Sequence, residues 1–99
     1  MARQIAWSPE AIEDLEAIAT FIERDSPYYA RAVVERIVEV GRTLPEFPEI
    51  GRLVPELGDP EIRERFVYSY RLIYRLEPER VLVLAVLHGR RLLESLDRW

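Results

Sequence analysis

The sequence contains no cysteine and no lysine, and it has one histidine and one methionine. Without cysteine, neither a disulfide framework nor a thiolate metal site is available, so the fold must rest on an ordinary apolar core. A lone histidine supplies no ligand cluster, and neither a metal nor another cofactor is expected. No apolar run approaches the ~20 residues that a bilayer-spanning helix needs. Met1-Ala2-Arg3-Gln4-Ile5 reaches a charged helix too soon for a secretory leader, so a cytoplasmic location without membrane contact is expected. The missing lysine means that all 14 basic residues are arginine, which closes the chain to any chemistry that relies on a lysine.

What is present suits one domain over residues 1–99, with 48% hydrophobic and 32% charged residues. The net charge of −4 hides a division. Met1 to Glu61 carries 6 Arg against 13 Asp and Glu, whereas Ile62 to Trp99 carries 8 Arg against 5. An acidic average therefore does not exclude an anionic partner, because binding depends on where positive potential concentrates.

Ser8-Pro9-Glu10 reads as a helix start, with a capping hydroxyl, a proline at the first position and an acid at the positive end of the dipole. A first helix is predicted from Pro9 to Arg24, with Ile12, Leu15, Ile18, Ala19 and Ile22 at three- and four-residue spacing. Ser26-Pro27 repeats the signal, and a second helix runs to Leu44, before Pro45. The short break between them makes an antiparallel helical hairpin. Pro45 to Pro60 holds four of the seven prolines and two of the four glycines, a loop long enough to carry function. From Ile62 the period becomes two, giving two adjacent strands up to Leu76, a turn at Glu77-Pro78-Glu79-Arg80 and a fully covered strand Val81 to Leu87. Arg90 to Trp99 has room for a terminal helical turn or two. With Gln4 to Trp7 as a first strand, the order is β-α-α-β-β-β. This is an α+β chain whose helical hairpin packs on a small, antiparallel-rich sheet.

That order resembles the RelE/ParE superfamily of toxins from type II toxin-antitoxin modules, in particular its ParE-like, plasmid-stabilisation branch. The matching stretches are Ser8-Pro9-Glu10-Ala11 with Asp14-Leu15, Phe47-Pro48-Glu49-Ile50-Gly51-Arg52, Val54-Pro55-Glu56-Leu57, Tyr70-Arg71-Leu72-Ile73-Tyr74-Arg75, and Val86-Leu87-His88-Gly89-Arg90-Arg91. The resemblance implies a small toxin neutralised by a cognate antitoxin, with higher-order toxin-antitoxin complexes as an option. Two targets are open. ParE-like toxins poison DNA gyrase, and RelE-like toxins are metal-independent endoribonucleases that cut mRNA on the ribosome. Gyrase binding is the preferred reading, with the nuclease and a degenerate toxin that only binds antitoxin as alternatives, so enzyme activity stays open. Metal-free RNA cleavage needs a base, a cation at the phosphate and an acid. This sequence lacks the lysines of the nuclease branch and has no His or Tyr after His88.

The resemblance places Arg71 where nuclease members bind phosphate, with Glu56 and Arg90 as the remaining nuclease candidates. The preferred reading makes Arg63, Arg65, Arg71, Arg75, Arg90 and Arg91 partner-binding residues, with Arg63, Arg65 and Arg75 on the same side of the sheet as Arg71. Clustered arginines repel, and an anionic partner is their natural complement. Tyr70 and Tyr74 are expected in or beside the core, and Trp7 beneath the first helix. Trp99 is either frayed or an interface anchor.

Overall fold

The two Ser-Pro pairs begin helices as their chemistry requires. The Ser8 hydroxyl accepts the Ala11 N–H at 3.0 Å and opens α1 (Pro9–Glu23). The Ser26 hydroxyl accepts the Tyr29 N–H at 3.1 Å and opens α2 (Pro27–Thr43). The computed structural model describes residues 3–99 and adds β1 (Gln4–Trp7), β2 (Arg52–Leu53), β3 (Ile62–Val67), β4 (Tyr70–Leu76), β5 (Arg80–His88) and a 3₁₀ turn at Leu93–Ser95. The sheet order is β1-β5-β4-β3-β2, with β1 parallel to β5 and every other pair antiparallel. The α+β architecture is thus as expected, with one addition. β2 lies inside the long loop, and two residues are too few to show a period.

Register decides which side chains share a face. A two-residue turn, Tyr68-Ser69, places Val67 opposite Tyr70, Arg65 opposite Leu72 and Arg63 opposite Tyr74. Residues directly opposite in an antiparallel pair project to the same side. These residues therefore lie on the helix-facing side, where Leu72, Tyr74, Val81 and Val83 pack with Ile18, Ile37 and Leu44. Ile62, Glu64, Phe66, Arg71, Ile73 and Arg75 lie on the other side. That second side also carries a core, in which Val54 from the loop and Leu93 from the tail close over Ile62, Ile73, Ala85 and Leu87. The sheet is thus covered by helices above and by loop and tail below.

Trp7 packs against the core beneath the helices. Its ring lies against α2, where a Cβ on Gly41 would come within 2.8 Å of the indole. The tail is held as well, since Trp99 Nε1 donates to the Leu93 carbonyl at 3.0 Å and Leu96 and Trp99 pack on the second core. Arg98 forms a fork to Asp14 at 2.6 and 3.1 Å, and Asp14 also accepts the Val86 N–H at 2.9 Å. β1 reaches only as far as Val83 along β5, so the Asp14 carboxylate satisfies a strand N–H beyond the end of its parallel neighbour.

Tyr74, fully buried, anchors the loop from the sheet. Its hydroxyl donates to the Pro48 carbonyl at 2.8 Å and accepts the Gly51 N–H at 3.0 Å. Burial pushes its pKa up, which keeps the donating proton in place. Gly51 approaches so closely that a Cβ there would lie 2.6 Å from both the Glu64 carbonyl oxygen and the Tyr74 hydroxyl. Two outcomes are expected in urea unfolding. Gly51→Ala loses about 1–3 kcal/mol, because the backbone it meets cannot yield. Tyr74→Phe loses about 1–3 kcal/mol by leaving a buried Gly51 N–H unpaired, while a Gly58→Ala control strains only an open, positive-φ turn.

Candidate functional site

The most concentrated chemistry in the chain lies on the loop-covered side of the sheet. β4 presents Arg71, only 4% exposed, and β3 presents Glu64, 1% exposed, two residues along the ladder on the same face. The Arg71 Nε donates to Glu64. Its Nη1 and Nη2 donate to the two carboxylate oxygens of Glu56 at 2.7 and 2.9 Å, a fork-to-fork pair reaching from sheet to loop. Glu64 uses its second oxygen to accept from the Arg52 Nε of β2 at 2.7 Å. The Arg52 guanidinium lies over the Phe66 ring, 5.2 Å from its centroid. Two guanidiniums and two carboxylates thus form a closed, neutral network.

The electrostatics follow from this geometry. The hydrogen bonds from Arg71 hold the Glu56 carboxyl down to about 2, against an ordinary value of 4.5. Glu56 in turn raises the Arg71 pKa further above its already high value. A carboxylate this acidic is a poor base at neutral pH, since a general base works best with a pKa near the working pH. The structure therefore brings two of the three nuclease candidates together, Arg71 and Glu56, in a mutually satisfied pair. It leaves the third, Arg90, exposed and without an ion pair among the described residues.

The expectation that Arg63, Arg65 and Arg75 share the side of Arg71 is corrected. Arg75 does, but Arg63 and Arg65 stand opposite Tyr74 and Leu72 on the helix-facing side, because the two-residue turn matches the phases of β3 and β4 that way. Arg63 serves the loop, donating through Nη1 to the Gly51 carbonyl at 2.8 Å. Arg65, Arg75, Arg90 and Arg91 form no ion pair among the described residues and remain as free positive charge.

Arg91 and His88 border an open groove of about 280 Å³ between α1 and the end of β5, floored by Ile18, Tyr70, Val86 and Leu87 and flanked by Phe21, which is 67% exposed. The His88 ring packs edge-on against Tyr70 at 5.9 Å, and its Nδ1 accepts the Arg90 N–H at 3.3 Å. Among the described residues, no group of three or more His, Asp or Glu is placed to hold a metal ion.

Glu64 is not among the site residues that the sequence reading singles out. A signal was present, since Glu64 falls in phase with Ile62 and Phe66, and an acid in an apolar phase calls for a buried cation. The role of Arg98 carried no local signal, because its partner is 84 positions away.

The chain matches the family model described as ParE toxin of type II toxin-antitoxin system, parDE, over residues 5–93. It is 31% identical over 90 residues to a Caulobacter vibrioides protein named toxin RelE2, a match covering 90% of this chain and 98% of that one. Its fold is similar to that in a solved structure of a chromosomal ParDE system from P. aeruginosa, with a TM-score of 0.74 and 21% identity over 88% of this chain and 96% of the other. It is also similar to a chain in the toxin-antitoxin complex RelBE2 from Mycobacterium tuberculosis, with a TM-score of 0.61 and 22% identity over 89% and 99% of the two chains.

The network makes two measurable demands. Glu64→Gln leaves the buried Arg71 with one carboxylate instead of two and is expected to cost about 3–5 kcal/mol in urea unfolding at neutral pH. Glu56 has a folded pKa below its unfolded value, so its stabilisation is complete above about pH 4.5 and is lost as pH falls toward about 2. Stability measured by denaturant titration across that window falls in the wild type, and Glu56→Gln removes the Glu56 share of the fall.

Proposed function

The chain belongs to the ParE toxin family of type II toxin-antitoxin systems, and from that premise we propose that it acts by binding proteins, with DNA gyrase as its target and a cognate antitoxin as its neutraliser. The observation that carries the reading is the Arg71–Glu56 fork. The cation that would stabilise a phosphate in RNA cleavage is buried and bound by two carboxylates, and the carboxylate available as base is held at about 2. No lysine stands in for either role.

Binding surfaces, by contrast, are plentiful. The groove beside α1 offers an apolar floor with Arg91 at its rim, and Arg90 and Arg65 add free positive charge. An extended or helical segment that is apolar on one side and acidic on the other matches this groove in shape and charge. As a toxin of such a system, the chain meets that chemistry in its antitoxin.

Purified toxin is expected to inhibit gyrase supercoiling at the stoichiometry that arrests growth, and uninhibited gyrase at growth-arresting levels contradicts the target. Primer extension on mRNA after induction separates the ribosome-dependent reading, since position-specific cuts that vanish in Arg71→Ala belong to a nuclease. Unimpaired growth on overexpression without antitoxin points instead to a chain that only binds antitoxin. The double charge reversal Arg90→Glu with Arg91→Glu is expected to weaken antitoxin binding by about tenfold or more in titration calorimetry, with thermal stability unchanged.

A further inference from the structure

The two carboxylates on Arg71 are not equivalent. Glu64 belongs to a strand, has a side chain that is 0% exposed, and is shared with Arg52. Glu56 belongs to the loop, its side chain is 32% exposed, and Arg71 is its one ion-pair partner among the described residues. Glu56 also covers the two outer nitrogens of the guanidinium, so it is what separates that edge from solvent. Turning this one side chain outward, into water it already faces, uncovers a pair of parallel N–H donors backed by Glu64.

We propose that Glu56 is an exchangeable occupant of the Arg71 fork, and that a carboxylate side chain from a protein partner takes its place. Charge and shape both select the incoming group. With Glu56 in place the network is neutral. With Glu56 turned out it carries one net positive charge, which a single carboxylate cancels. The slot already holds a planar carboxylate at 2.7 and 2.9 Å, and a guanidinium fork matches a second one equally well. A phosphate monoester brings excess negative charge next to the buried Glu64. The surroundings suit a peptide, because Phe66, 51% exposed and overlaid by Arg52, borders the network and offers apolar surface for the residues that flank an acidic side chain. The inference deepens the protein-binding reading by assigning one specific contact, yet the slot itself can be tested without antitoxin or gyrase.

Glu56→Ala vacates the slot while Glu64 still accepts from the Arg71 Nε. Thermal unfolding of this full-length variant is followed in sodium acetate, sodium phosphate and sodium chloride at matched ionic strength, beside wild type and Glu39→Ala, which removes the exposed partner of Arg36. Acetate is expected to raise the Tm of Glu56→Ala over chloride by about 4 °C at a few hundred millimolar, with saturation. Wild type, whose slot is filled, and Glu39→Ala are expected to show no difference between acetate and chloride. Equal midpoints for Glu56→Ala in acetate and chloride overturn the proposal. A larger gain from phosphate than from acetate also overturns it, in favour of a phosphate ligand. A variant that stays unfolded even in acetate overturns it too, by making Glu56 a fixed counter-ion. Because none of these readouts involves gyrase, failure of the slot and failure of the target assignment register separately.

Discussion

Burying a guanidinium is costly unless carboxylates come with it, and the lower half of this fold is organised around meeting that demand for Arg71. Glu64 comes from the neighbouring strand and Glu56 from a loop 15 positions away, while Arg52 balances the charge of the second carboxylate. The same arrangement pins the loop to the sheet. With Glu56 held, Val54 and Leu57 close over Ile62 and Ile73, and a stretch rich in proline becomes the cover of a second core. Tyr74 and Arg63 reach the loop from the opposite side of the sheet, so it is gripped at Pro48, Gly51 and Glu56. A loop fixed at three points by side chains from both faces of the sheet is part of the core.

How much of this could be read in advance depends on the range of the interactions. The helices were legible because Ser-Pro caps and three-four spacing act within one turn of chain. The long strands were legible because alternation is local as well. β2 was not, since two residues have no period and its existence depends on pairing with Glu64 and Arg63. The faces of the arginines hinged on a single fact, that the β3–β4 turn has two residues. One residue more or fewer would put Arg65 and Arg71 on the same side of the sheet. Tyr68 takes a positive φ of 54° in that turn, a conformation that a bulky residue does not advertise in sequence. The partners of Arg71 and Arg98 come from distant positions, so propensity and spacing had no access to them. Glu64 marks the intermediate case, a charge in an apolar phase whose burial could be inferred but whose partner could not.

The chain's two charge regimes acquire a physical meaning in this arrangement. Part of the arginine excess in the second half is consumed internally, by Glu56, Glu64, Glu77 and Asp14. What remains free sits mainly at Arg65, Arg75, Arg90 and Arg91, and Arg91 borders the apolar groove beside α1. This division separates the arginines engaged within the fold from those left without an ion pair among the described residues. The distinction matters because the arginine that most resembles a nuclease residue by position is the one most completely engaged in holding the fold.

The central claim is therefore a statement about one side chain, and side-chain nitrogen NMR of the wild-type protein near neutral pH tests it most directly. A guanidinium fixed by three hydrogen bonds to two carboxylates should show a slowly exchanging Arg71 Nε–H and separately resolved Nη signals, because rotation about its C–N bonds is blocked. Averaged Nη signals and fast exchange, as given by an exposed arginine such as Arg90, would show that Arg71 is free and would contradict the account.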